Sequence, residues 1–256
     1  IFTVPVLLTE SEMLIRVQDA YEALYTGKSY QHEIALVEKV IERRLGKWRV
    51  HDKTQPPRRL LEIGCGPGLR LAVLKQWHGK YEPEGLDRDP EMLKLAARRV
   101  PGIPLHQGDM RDFDLDRSYD AVLCLFGVIG YMKDQAEMTT ALKRMHKHLV
   151  PGGVLLLEPW LSPETVEHGH VRADTAERAG MEVSRMNFTK VEGNKALINI
   201  HYLIGDQSGV RHSEETRTMS LFTEEEYRGA LRDAGFGEVA LEAYGPQGRG
   251  LYIAQA

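Results

Sequence analysis

The stretch Leu60-Leu61-Glu62-Ile63-Gly64-Cys65-Gly66-Pro67-Gly68 constrains this chain more than any other. An apolar run breaks into three glycines on alternate positions, and the text then turns helical from Leu69 to Trp77. That is how a parallel strand delivers its C-terminal end to a ligand, since glycine permits a sharp turn and a close approach to the main chain. The spacing limits which ligand. A dinucleotide loop reads G-x-G-x-x-G, and here Leu69 stands where its last glycine would be. A phosphate loop ends in Gly-Lys-Ser/Thr, and Leu69-Arg70 supplies neither residue. A glycine turn with an acidic residue two places ahead of it is what remains.

The elements after the loop alternate. Tyr81 to Leu86 reads as a second strand ending at Asp87, and Asp89 caps a helix that Pro90 opens and Val100 closes. Ile103 to His106 is a short third strand, and Tyr119 to Phe126 is the fourth. A helix from Gln135 to Leu149 leads through Pro151-Gly152-Gly153 into a fifth strand, Val154 to Glu158. Strands separated by helical periods predict βαβ units and a parallel sheet covered on both faces. Two helices, Ser11 to Tyr25 and Gln31 to Leu45, and a polar linker from Gly46 to Arg59 precede the first strand. From Val183 to Phe222 the rhythm changes to about four antiparallel strands, with turns at Glu192-Gly193-Asn194 and Asp206-Gln207-Ser208-Gly209. Thr223 and Glu226 then form a capping box for a helix ended by Gly235, followed by strands at Val239 to Tyr244 and Leu251 to Ala254. The expected boundaries are a helical lid and linker over 1–58, an α/β core over 59–160, a β insertion over 161–222 and a core-completing segment over 223–256.

Charge and cysteine usage exclude several function classes. The 256 residues carry 33 basic and 37 acidic side chains, a formal net charge of −4, so no general nucleic-acid footprint is expected. Two cysteines, Cys65 and Cys124, provide neither a disulfide framework nor a metal quartet, and point to a reducing, cytoplasmic setting. No apolar run is long enough to span a bilayer, so no membrane partner is expected.

The residues that carry chemistry cluster at strand ends. Asp87 follows Gly68 by 19 positions, the distance at which a carboxylate accepts hydrogen bonds from a ribose diol. Asp109, in Gly108-Asp109-Met110, ends the third strand. Each feature alone also fits an ordinary turn. Jointly they resemble the class I S-adenosylmethionine (SAM) methyltransferases. The resemblance implies a third strand beside the first, with Asp109 accepting from an exocyclic adenine amine while Met110 packs on the ring. It also implies that Glu62 and the Gly64, Gly66 and Gly68 backbone face the methionine part. Phe126 and Gly127 would then border the sulfonium. The fold expected is the Rossmann-like class I sheet with helices on both faces, an N-terminal helical lid and an inserted antiparallel β layer, with SAM as cofactor. Methyl transfer to an amine needs alignment more than acid–base help, worth roughly 7–11 kcal/mol of barrier. The amine must still arrive neutral, so a hydrogen-bond acceptor is expected near the methyl. Tyr25, Tyr131 and Glu158 are candidates, with Tyr30 and His201 behind them. His168-x-His170 lacks an evident third metal ligand, and no metal is expected.

Four further segments narrow the family. They are His106 to Phe113, Phe126-Gly127-Val128-Ile129-Gly130-Tyr131, Val154 to Trp160 with Pro163-Glu164, and Gly245-Pro246-Gln247-Gly248-Arg249-Gly250-Leu251. These resemble the nucleotide-linked amino-sugar N,N-dimethyltransferases of macrolide pathways. The resemblance runs from about Tyr21 to the C-terminus. It implies a homodimer that methylates the 3-amino group of a TDP-linked deoxysugar, with Tyr25 and Tyr131 near the amine. Arg249 would hold a phosphate with its guanidinium fork, and Tyr227 and Trp160 would assist on the substrate side. Leu161 departs from the second tryptophan common in relatives, and the loop at Gly27-Lys28-Ser29 is shorter. Two alternatives stay open: a methyltransferase for another small molecule, and a non-catalytic SAM-fold binding protein.

Overall fold

The structure, a computed structural model, describes residues 20, 22–25, 29–47, 55–77 and 79–256. Most of the first predicted helix, the Gly27 turn and the middle of the Gly46–Arg59 linker lie outside these residues. The chain divides into two compact units. One holds residues 29–166 and 219–256; the other holds 167–218 with the described residues before 26.

The larger unit is a seven-stranded sheet. Its strands are β1 (Arg58–Ile63), β2 (Tyr81–Asp87), β3 (Leu105–Gln107), β4 (Tyr119–Cys124), β5 (Leu149–Leu157), β10 (Val239–Glu242) and β11 (Leu251–Gln255), in the order β10-β11-β5-β4-β1-β2-β3. All neighbours are parallel except β11, which runs antiparallel to both β5 and β10. Here β3 pairs with β2, not with β1 as expected. The reason is that β1 already holds β2 on one side and β4 on the other, leaving only the outer edge of β2 for a three-residue strand.

Continuous apolar strands feed helices on both faces. Leu61, Ile63, Val122, Cys124, Leu155 and Leu157 pack with Met138, Leu142 and Met145 of α4 (Gln135–Lys147) and Ala230 and Leu231 of α5 (Glu224–Asp233). Their strand neighbours Leu60, Ala121, Leu123, Val154 and Leu156 point the other way, onto Ile34, Val37 and Ile41 of α1 (Tyr30–Leu45) and Leu71 and Leu74 of α2 (Leu69–Gln76). That two-sided burial is why these strands read as unbroken hydrophobic runs. Helix α3 (Pro90–Arg99) starts where predicted, with Asp89 accepting from Glu91 N–H and Met92 N–H, and both halves of the Thr223–Glu226 capping box are present. Strand β5 starts at Leu149, earlier than expected, because the Pro151-Gly152-Gly153 turn is absorbed as an irregularity in its pairing with β4.

The smaller unit is a four-stranded sheet of β6 (Val171–Arg178), β7 (Met181–Glu192), β8 (Lys195–Asp206) and β9 (Gly209–Ser220), in sequence order. Both predicted turns are present. Strand β6 lies outside the expected Val183–Phe222 range: it is an edge strand of mostly exposed polar residues and so carries no hydrophobic alternation. Within this unit, Glu22 pairs with Arg178 and Tyr25 with Arg185.

Candidate active site

The parallel strands β1, β2 and β4 end on one side of the sheet, and their C-terminal turns build the site. After Ile63 the chain turns through Gly64, Gly66 and Gly68, all at positive φ (66°, 53° and 75°). Gly66 is the informative one. A Cβ there would meet nothing within 4 Å, so its glycine serves conformation and open space, not packing. The Gly66 N–H donates to Asp87 Oδ2 at 2.7 Å, and the Asp89 N–H donates to Asp87 Oδ1 at 2.9 Å. The loop is thereby fastened to the end of β2, and burial pushes the Asp87 carboxyl above its ordinary range.

A cleft opens beside this junction. Asp87, Gly64 and Val128 line it with Asp109, Met110 and Tyr131, so five residues singled out in the sequence border one space. Arg88 also lines it, its guanidinium 5.3 Å from the centre of the Tyr131 ring. Asp109 accepts Arg111 Nε at 2.9 Å and Nη2 at 2.8 Å, a bidentate pair that holds its carboxyl below the usual range.

Under the glycine loop lies a buried charge network. Arg70, on the first turn of α2, donates from Nε to Glu33 at 2.9 Å and from Nη1 to Glu62 at 3.2 Å. Its guanidinium also faces the rings of Tyr30 (5.5 Å) and Phe126 (5.6 Å). Burial pushes the Glu62 carboxyl up to about 7, against the opposing pull of Arg70. Glu62 Oε2 is buried and accepts no hydrogen bond among the described residues.

Glu158 organises a second, buried wall just beyond the ends of β4 and β5. It accepts the Phe126 N–H and the Gln247 N–H, each at 2.6 Å, and Gln247 Nε2 continues to Glu33 at 2.6 Å. Glu158 is fully buried, which raises its carboxyl, while Arg249 lies 3.9 Å away and opposes that shift. Arg249 also stacks 4.8 Å from the centre of Trp160. Phe126 sits at φ 63°, uncommon for a side-chain-bearing residue, and the Glu158 bond pins it there. Next to it, Gly127 has no room for a Cβ: Trp160 Cε3 would lie 2.9 Å away. Tyr227, expected on the substrate side, is 2 % exposed, and its hydroxyl accepts the Trp160 N–H at 3.3 Å. It acts on this wall through Trp160.

Two of the expected residues lie in the smaller unit. Tyr25 accepts from Arg185 Nη1 at 2.9 Å, and His201 is exposed beside His212. His168 and His170 are each engaged separately, with Val191 N–H and Glu167. No role follows from the sequence alone for Glu33, Arg70, Arg88, Arg111 or Gln247. Arg88 and Arg111 stand within two positions of singled-out carboxylates, and Gln247 stands in the Gly245–Leu251 segment; Glu33 and Arg70 have no local signal.

A sequence profile of the family described as "Methyltransferase domain" matches residues 60–153. The chain is 39 % identical over 227 residues to a dTDP-3-amino-3,6-dideoxy-alpha-D-glucopyranose N,N-dimethyltransferase of Streptomyces fradiae, covering 88 % of this chain and 84 % of that protein. It is 36 % identical over 238 residues to the dTDP-3-amino-3,4,6-trideoxy-alpha-D-glucopyranose N,N-dimethyltransferase of Streptomyces venezuelae, covering 92 % and 95 %. The crystal structure of Streptomyces venezuelae DesVI superposes with a TM-score of 0.83 at 35 % identity, over 92 % of this chain and 96 % of that one. SAM-bound CalS10, an amino pentose methyltransferase from Micromonospora echinaspora, gives 0.76 at 34 % identity, over 99 % of both chains.

Proposed function

The chain belongs to the SAM-dependent N,N-dimethyltransferases of nucleotide-linked amino sugars, and from that premise we propose that it methylates the amino group of a TDP-linked deoxy-amino sugar. One observation carries the reading of the site: Asp87 fastens the open Gly66 turn and lines the same cleft as Asp109, Met110 and Tyr131.

The residues fit SAM. The space at Gly66 admits a ligand against the main chain, and Glu62 Oε2 is a buried acceptor suited to an ammonium group. Asp87 would take the ribose hydroxyls, Asp109 and Met110 the adenine, and Glu62 with Arg70 the charged methionyl end. When bound, SAM supplies an electrophilic methyl. The chain's own contribution is alignment and exclusion of water. Val128 and Phe126 border the reacting region, and we assign to the Tyr131 hydroxyl the orientation of the neutral acceptor amine. Glu158 acts as a positioning residue that fixes Phe126 and the Gln247 turn. Arg249, between Trp160 and Glu158, is the cation we assign to the sugar diphosphate.

The homodimer is part of this reading. Support comes from the smaller sheet, where Val171, Met186 and Phe188 are large exposed apolar residues on one face of β6 and β7. Cytoplasmic residence is supported by two free, buried cysteines. Among the described residues no helix is long and apolar enough to cross a membrane.

The test is a methyl-transfer assay with SAM against TDP-linked amino sugars beside simple amines. Methylated nucleotide sugars are expected, with simple amines poor acceptors. Turnover of simple amines alone would end the sugar reading, and absence of SAM binding by calorimetry would end the enzymatic one.

A further inference from the structure

On the face of the smaller sheet that carries Met186, but in β8 and β9, on the side away from β6, three exposed side chains converge to which no part in methyl transfer is assigned above. His201 projects from β8, and His212 and Glu214 project from β9. Strand geometry explains the grouping. Residues two apart on a strand share a face, and neighbouring strands lie about 4.8 Å apart, so an His-x-Glu pair on β9 can meet a histidine of β8 above the sheet. All three donor atoms lie within 4.8 Å of one another. His201 Nδ1 is 3.0 Å from His212 Nε2 and 3.6 Å from Glu214 Oε2.

We propose that His201, His212 and Glu214 form a surface site for a borderline divalent transition-metal ion, Zn2+ or Ni2+. Ligand atoms at the usual 2.0–2.1 Å from one Zn2+ and 3.0 Å from each other subtend roughly 94° at the metal; a 3.6 Å separation subtends about 120°. Both angles fall in the range of four- to six-coordinate sites. Two imidazoles and one carboxylate suit Zn2+, Ni2+ or Cu2+, whereas Mg2+ and Ca2+ prefer all-oxygen shells. Without metal, the near-parallel imidazole rings (12° apart) share one N–H between two nitrogens. Binding an ion uses both nitrogens as electron-pair donors, so the shared proton moves, by exchange with water, to the far nitrogen of its ring and both rings ligate as neutral imidazoles. The ion would staple the edge strand β9 to β8. Open coordination positions would be filled by water. None of the three residues is among those that line the cofactor cleft, and the inference does not depend on the substrate reading.

The experiment uses the full chain, free of any histidine tag. Isothermal titration with Zn2+ and, separately, Ni2+ is expected to show one ion per chain, and Zn2+ to raise the melting temperature. His201→Ala and His212→Ala should each weaken binding more than about tenfold and abolish the thermal shift, with Glu214→Gln less severe. Far-ultraviolet circular dichroism of each variant checks that the sheet persists. A variant that loses its fold is replaced by His201→Gln or His212→Gln, which keep a polar side chain of similar reach. No binding by the parent chain, equal binding by folded variants, or half an ion per chain would overturn the site.

Discussion

Arg70 Nη1 lies 3.2 Å from Oε1 of Glu62, and both side chains are more than nine-tenths buried. The pair joins the first turn of α2 to the C-terminal end of β1, across the glycine loop that both flank. Glu62 is therefore a strained participant: burial favours its neutral form, and Arg70 only partly opposes that.

This gives a pH dependence. The folded carboxyl titrates near 7 against an ordinary 4.5. Its raised value means that the stability it contributes is full below about 4.5 and lost as pH rises through about 7. Cofactor binding should run the other way, because only ionised Glu62 attracts an ammonium. Between pH 6 and pH 8 ionisation of Glu62 is expected to favour SAM binding about tenfold in the parent chain relative to Glu62→Gln, in which the cofactor's own ammonium, with an ordinary value of about 7.7–8.0, still titrates. Calorimetric titrations at both values check this, and identical pH profiles would remove Glu62 from the ammonium role.

Asp87→Ala removes the acceptor of the Gly66 N–H together with the assigned ribose acceptors. A loss of about 1.5–3 kcal/mol in SAM binding is expected, a weakening of roughly 10- to 150-fold. Asp87→Asn should lose less. Unchanged affinity in the alanine variant would remove Asp87 from the ribose role.

Gly66→Ala and Gly127→Ala separate space from conformation. Both positions have positive φ, so both carry a strain of about 1–2 kcal/mol. The added Cβ is open at 66 but lies 2.9 Å from Trp160 at 127. Thermal melts should therefore show a further loss of about 1–3 kcal/mol for Gly127→Ala. SAM affinity should fall for Gly66→Ala beyond what its stability loss explains. Equal melting temperatures would show that the Trp160 contact yields freely.

Arg249→Lys keeps the charge near Glu158 but loses the planar fork. KM for the nucleotide sugar is expected to rise about tenfold, with SAM affinity within about twofold. Equal effects on both ligands would take Arg249 out of the diphosphate role.

Local chemistry wrote much of this into the sequence. The two-sided apolar strands, Asp89 before Pro90, the Thr223–Glu226 box and the three glycines each act through neighbours a few residues away, and each is present in the structure. The β-rich segment was legible in the alternation of Ile198, Ile200, Tyr202 and Ile204, whose side chains share one buried face. Strand β6 was not, because an edge strand exposed on both sides has no pattern to display.

Tertiary structure decided the rest. It placed β3 outside β2, since the flanks of β1 were filled by longer and more hydrophobic strands. It linked Gln247 to Glu33 across 214 positions and Arg70 to Glu33 across 37, separations at which no periodicity operates. By itself the stretch from Leu60 to Gly68 determined a glycine turn open to a ligand. Which charges surround that turn, and that Glu62 there is held close to neutrality, follow only from the burial that packing imposes.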